Sequence, residues 1–292
     1  MKTEEFMKTC VGCVAALMLA AAAVSVPADA ATSSPQALQL VHPGYLTFAV
    51  SYADPPQDFL KSGKPSGFDV DLAKALAARL DLKPRFVNFA FAGIFPALLA
   101  HKVDAAISGI GVTPEREKVY DYVPYIIGGQ RMMAANSFPT TFKTDLGLCG
   151  YHVATVEGSV EYGDLTHWSA KCPDGKKIRI SVYPSFAEDL EQLAKGSVQV
   201  IDIDWPVSAY FLQKFPGRFK AVSTIVSGLG PDTPPNREGI LLRKDEVPLQ
   251  TALSHALGDL QKSGEYTKLL HKWNLKSGDI RTYDKYLSNK AG

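Results

Sequence analysis

Histidine is scarce in this 292-residue sequence, and none of the six stands in an HExxH, HxH or Cys/His cluster, the spacings that bring several ligands onto one metal. Neither a metal centre nor a cofactor is expected. His101, His152, His167, His255 and His271 fall in helix ends or polar turns, where a solvent-facing ring is the simpler assignment. No serine has glycine two positions away on both sides, so the nucleophile elbow of a hydrolase is missing. Gly109-Ile110-Gly111 lacks the third glycine of a dinucleotide loop and runs on to Pro114, which makes it a tight turn. Long runs of one charge are absent too, and the formal net charge is +1, which excludes a nucleic-acid surface.

What is present begins with a leader. Met1 to Thr9 carries two lysines, Cys10 to Val26 is apolar, and Ala28-Asp29-Ala30 supplies a small-x-small pattern. Residues 1–30 therefore read as a secretory signal cleaved after Ala30, the apolar run being shorter than the roughly 20 residues of a membrane span. Export places the mature chain in an oxidising, periplasmic compartment. Cys10 and Cys13 lie inside the leader, so their CxxC spacing has no redox meaning. Cys149 and Cys172 remain as an even pair and are expected to form a disulfide, the alternative being a reactive thiol with a stray companion.

From Leu46 onward short apolar runs alternate with amphipathic segments, the pattern of an α/β fold. Leu46–Val50, Lys83–Phe89 and Val103–Ser108 read as strands, with helices over Asp69–Leu80 and Phe91–Ala100 and another capped by Thr113 with Pro114 as its first residue. After Gly128-Gly129 the same logic repeats through Val153–Val156, Ser159–Ser169, Ile178–Val182, a capping box at Ser185 and Glu188, Val198–Ile203 and Trp205–Phe215. The stiff turn at residues 230–235 marks a second crossing, followed by a strand at Gly239–Arg243 and helices at Leu249–Gln261 and Glu265–Trp273. The expected organisation is an interrupted lobe one, residues 38–128 with 236–292, and an inserted lobe two, residues 129–235. Two crossings permit hinged closure on a ligand.

Arg116 is the sharpest oddity, a cation in the first turn of a helix, where the dipole favours anions. Either it pairs with Glu115 or Glu117 at the surface, or it joins the N–H groups and hydroxyls of the Ser108–Thr113 turn in holding a carboxylate. Asp204 ends a buried run directly before Trp205-Pro206. It is either an N-cap or a carboxylate at a strand end facing a cleft, with an ammonium group as its partner. Gly158-Ser159 opens the first helix of lobe two and serves as a plain cap, an anion receptor, or both.

Gly67-Phe68-Asp69-Val70-Asp71-Leu72-Ala73, Ile94-Phe95-Pro96-Ala97-Leu98, and Ser108-Gly109-Ile110-Gly111-Val112-Thr113-Pro114-Glu115-Arg116 together resemble the family 3 extracellular solute-binding proteins of polar amino-acid ABC importers. The likeness runs from about Leu46 to Trp273 and ends in Gly264-Glu265-Tyr266-Thr267-Lys268-Leu269-Leu270. It implies a type II periplasmic-binding-protein fold, two lobes with the ligand cleft between them, no catalysis, and a membrane permease as partner of a monomeric receptor. By the same resemblance Arg116 clamps the ligand α-carboxylate and Asp204 accepts the α-ammonium. Ser108, Gly109, Ile110, Gly158, Ser159 and Val160 would complete the cage, Phe91 would stack on the ligand side chain, and the Cys149–Cys172 pair matches a common variant.

Two positions depart from the family pattern. Gly111 stands where Ser or Thr is usual, removing a hydroxyl, and Asp54 stands where Tyr or Phe is usual. An acid at that place fits a cationic side chain, so basic amino acids or a related amine rank first. Exported cyclohexadienyl or arogenate dehydratases of the same fold are the enzymatic alternative. Glu157 and Glu161 would be the candidate acids for it, unless both are solvent-facing helix residues. A ligand-sensing receptor is a further alternative.

Overall fold

The computed structural model describes residues 38–224 and 236–283; the expected leader and the turn at 230–235 lie outside the described residues. The chain enters through β1 (Tyr45–Val50), buried from Leu46 onward as a parallel strand covered on both faces requires. A small antiparallel ribbon follows, β2 (Ala53–Asp54), β3 (Asp58–Lys61) and β4 (Lys64–Ser66). Helix α1 (Phe68–Arg79) buries Phe68, Leu72 and Leu76, with Asp69 and Asp71 in its first turn and Arg79 in its last, all on the favourable side of the dipole. Gly67 precedes it at φ +134°, where an added Cβ would lie 2.0 Å from the Gln57 carbonyl oxygen. Only glycine lets the helix start pack against the loop that carries Gln57.

The first lobe continues through β5 (Lys83–Asn88), α2 (Phe91–Leu99), β6 (Ala105–Ala106), α3 (Pro114–Glu117) and β7 (Tyr120–Ile127). The strand expected over Val103–Ser108 shrinks to the two residues of β6. On one side, the Asp104 carboxylate accepts the N–H groups of Val41 and Thr47 at 2.7 Å each. On the other, the chain turns away at Ser108. The helix capped by Thr113 is a single turn, with the Thr113 hydroxyl accepting Arg116 N–H at 3.2 Å. Strand β7 is not among the expected elements, because Tyr-Asp-Tyr-Val-Pro-Tyr-Ile-Ile has residues buried on both faces and so lacks the alternation of a half-exposed strand.

Gly128-Gly129 leads into β8 (Gln130–Ala135), then β9 (His152–Val156), α4 (Val160–Lys171), β10 (Arg179–Tyr183), α5 (Phe186–Lys195), β11 (Val200–Asp204), α6 (Trp205–Lys214) and β12 (Phe219–Ala221). The chain returns as β13 (Arg237–Arg243) and closes with α7 (Val247–Lys262) and α8 (Glu265–Lys272). The first sheet has the order β5-β1-β6-β13-β7 and the second β10-β9-β11-β8-β12. Because β13 inserts between β6 and β7, the first lobe is assembled from both ends of the described chain. Where the chain crosses and where it returns, the two strands of backbone meet, Gly128 N–H donating to the Asn236 carbonyl at 2.8 Å. Trp205 anchors across them. It opens α6, yet packs among the apolar residues of the first lobe and donates its indole N–H to the Ile127 carbonyl at 3.0 Å.

Cys149 and Cys172 are joined, tying the turn before β9 to the end of α4. The bridge spans a sequence separation of 23 residues, and on loop-closure grounds its removal costs roughly 3 kcal/mol. A Cys149→Ser, Cys172→Ser variant is expected to lose about that much in equilibrium chemical denaturation.

Candidate functional site

The C-terminal ends of the central strands of both sheets, with the loops after them, face a common pocket, the usual location for ligands on open α/β sheets. From the first lobe come Asp54 and Gln57 of the ribbon, Phe91 at the start of α2, the Ser108–Gly111 turn after β6, and Arg116 of α3. From the second come Val156 at the end of β9, Ser159 to Glu161 at the start of α4, Phe186 at the start of α5, and Asp204 at the end of β11. Asn236, at the return crossing, closes the ring.

Arg116 is not a surface ion pair. Its guanidinium donates to the Gly111 carbonyl within its own lobe and to the Gly158 carbonyl of the other, both at 2.8 Å, and lies 4.8 Å from the Phe95 ring centroid. One side chain thus bridges the two lobes. Gly111 makes the approach possible, since a Cβ there would stand 2.9 Å from a methyl of Val160 across the cleft.

The turn itself offers fewer donors than expected. The Ser108 hydroxyl donates to Asp58 at 2.6 Å, and Gly109 N–H donates to Asp69 at 2.9 Å, Asp69 also receiving the Tyr125 hydroxyl at 2.7 Å. These buried carboxylates fix the turn from below, so Ser108 and Gly109 line the pocket without presenting those hydrogens to it. Ile110 is fully buried in the apolar core, and Gly158 contributes its carbonyl to Arg116.

Asp204 makes no side-chain cap bond to α6. Its carboxyl is hydrogen-bonded to that of Glu161, and burial followed by the Glu161 charge pushes it well above the usual carboxylate range. Glu161 is 3% exposed and raised by burial, against the lowering influence of its own N–H and of the nearby Ser159 hydroxyl. Two carboxyls this close share one proton. Asp54 is buried as well, with the Phe186 N–H of the opposite lobe facing its carboxyl. Burial raises it to about 7, against the pull of that N–H. Arg116 is the one cation lining the pocket among the described residues.

The geometry gathers Arg116, Asp204, Asp54, Phe91, Ser108, Gly109, Gly111, Ser159 and Val160 around one space. Gln57, Val156, Phe186, Asn236 and Glu161 join them without having been expected to hold the ligand. The sequence leaves Glu161 as either a catalytic acid or a solvent-facing helix residue, and burial removes the second option. Glu157, by contrast, is exposed. Phe186 and Glu161 carry a positional signal, each lying in the first turn of a helix that follows a strand of the second sheet.

Two hydrogen-bonded lobes shut around a pocket of opposed charges define a ligand-capturing receptor. The chain belongs to the bacterial extracellular solute-binding proteins, family 3, whose model matches residues 46–276. It is 28% identical to ABC transporter arginine-binding protein 1 of Escherichia coli over 230 residues, 78% of this chain and 90% of the relative. It is 27% identical to a probable histidine-binding protein of Neisseria gonorrhoeae over 267 residues, 90% of this chain and 96% of the relative. Among solved structures, an ancestral arginine-binding protein bound to arginine superposes with a TM-score of 0.72 at 29% identity, covering 79% of this chain and 98% of that one. The family and these relatives are binding proteins, and the protein is a periplasmic amino-acid-binding component of an ABC importer. No helix among the described residues is long and apolar enough to cross a membrane.

Proposed function

We propose that the solute is a basic amino acid of the arginine, lysine or ornithine class. In this reading its α-carboxylate is held by Arg116, its α-ammonium by the Asp204–Glu161 pair, and its side-chain cation on the Asp54 side of the pocket. The observation that carries this is the charge balance. Asp54, Glu161 and Asp204 face a single guanidinium. With one proton shared between Glu161 and Asp204, the lining holds one positive and two negative charges, and a dibasic amino acid brings the complement, one negative and two positive. A neutral amino acid would leave Asp54 without a countercharge, and an acidic one would add a further anion beside it, so neither matches the lining as a dibasic ligand does. The binding of arginine, lysine and ornithine by relatives in Escherichia coli agrees with this choice.

Isothermal titration of arginine, lysine, ornithine, histidine, glutamine, glutamate and phenylalanine tests it. The dibasic ligands are expected to bind about 100-fold or more tighter than glutamine, a difference of roughly 3 kcal/mol. Equal or tighter binding of a neutral or acidic amino acid would exclude the assignment.

A further inference from the structure

Helix α5 carries an acid that nothing in the fold explains. Its inward face consists of Phe186, Asp189, Leu190 and Leu193. Asp189 is 0% exposed, and neither of its carboxyl oxygens has a hydrogen-bond partner. A buried, unpartnered carboxyl costs several kcal/mol, and an apolar residue of similar size would serve the packing better. Nor is Asp189 a cap, because Ser185 fills that role with its hydroxyl accepting Glu188 N–H.

Its position relative to the pocket supplies the explanation. Phe186, one turn earlier on the same face, lines the pocket together with Asp54 of the other lobe, whose carboxyl its N–H faces. Asp54 is the strongest charge acting on Asp189, and Glu161 the next. Asp189 therefore stands immediately behind the wall formed by Phe186, within electrostatic reach of two lining carboxyls from different lobes. Asp54 likewise keeps one carboxyl oxygen without a partner. The described residues place no lysine or arginine on either acid: Arg116 is engaged by Gly111 and Gly158, and Arg131 is not among the charges acting on Asp189.

We propose that Asp54 of lobe one and Asp189 of lobe two together form the seat for the charged end of the ligand side chain, which makes Asp189 a specificity-determining residue. A guanidinium or ammonium entering between β2 and the start of α5, with the Phe186 ring turned aside, supplies donors to the free oxygen of Asp54 and to the two oxygens of Asp189. Its charge favours the ionised form of both acids, so the charged tip, rather than the amino-acid head group, draws these two elements together. This rests on the assignment of a basic ligand and adds to it a second acid on the opposite lobe, behind the Phe186 wall.

The test compares charged ligands with neutral isosteres in calorimetry: arginine against citrulline, and lysine against norleucine, on the wild-type protein, Asp189→Asn and Asp54→Asn. Asp189→Asn is expected to weaken arginine or lysine about 30-fold or more, while citrulline and norleucine change less than about threefold. The melting temperature of ligand-free Asp189→Asn is expected to equal or exceed that of wild type, because an unpaired buried acid has been removed. A purely structural Asp189 would give the opposite signature, a lower melting temperature and equal weakening of all four ligands, and would overturn the proposal. So would a charge preference left intact in Asp189→Asn. If Asp189→Asn does not fold, Asp189→Ser gives the same comparison without a carboxyl. Failure of the two levels is distinguishable: a wild-type protein with no preference for arginine over citrulline, or for lysine over norleucine, removes the basic-ligand assignment itself. A preference lost in Asp54→Asn but kept in Asp189→Asn removes only the role of Asp189.

Discussion

Replacing Arg116 with alanine is expected to abolish ligand-induced thermal stabilisation and weaken binding about a thousandfold or more, equivalent to roughly 4 kcal/mol. Two effects add. The ligand carboxylate would lose the one cationic partner that the described residues offer it, in a pocket lined by three carboxyls. The closed form would also lose the link from Arg116 to the Gly158 carbonyl, which joins the lobes. Arg116→Lys separates these contributions: an ammonium keeps the charge but cannot reproduce both carbonyl contacts and a carboxylate contact in one plane. It should therefore recover part of the affinity. Calorimetry and thermal melting with arginine check both variants. A melting shift of wild-type size in Arg116→Ala would show that the carboxylate is held elsewhere.

Much of this site is legible in the amino-acid sequence because the chemistry sits at places that local rules mark. Thr113-Pro114 announces a helix start, and a cation immediately after it is electrostatically out of place unless an anion arrives. Asp204 follows a run too apolar to be anything but a buried strand, which puts its carboxylate at a sheet end. The fold class is readable for the same reason, since β1 is a short unbroken apolar run and α1, α5 and α7 follow the helical period. What is not legible depends on contacts between residues far apart in sequence. That Ser108 and Gly109 turn their hydrogens inward is decided by Asp58 and Asp69, which reach the turn through sheet and ribbon packing. Glu161 looks like any acid in a first helical turn until Asp204, 43 positions later in the sequence, is found hydrogen-bonded to it. The ribbon of β2 to β4 and the strand β7 are hidden because Pro55, Pro56 and Pro124 interrupt their patterns.

Affinity for a basic amino acid is expected to fall steeply as pH is lowered from 8 to 5, while the ligand-free protein becomes more stable over the same interval. Both trends come from the same buried acids. Burial raises Asp54 to about 7, Asp69 to about 6 and Asp189 to about 9, and it pushes Asp58, Asp202, Asp204 and Glu238 well above the ordinary range. A carboxyl whose folded value exceeds its unfolded one holds a proton that the unfolded chain has already released. The stability it contributes is full below about pH 4 and is lost as pH rises through the folded value, at about 1.4 kcal/mol per pH unit for each proton. Ligand linkage has the opposite sign, because a cation seated on Asp54 needs the carboxylate and binding must expel the proton. Below about pH 7 the dissociation constant should therefore rise about tenfold per unit for one proton released, roughly 100-fold between pH 7 and 5. Arginine is the suitable probe, since its own charge does not change in this range. Titrations in buffers of different ionisation enthalpy would count the released protons directly. A dissociation constant flat between pH 8 and 5 would mean that the ligand cation does not sit on these carboxyls.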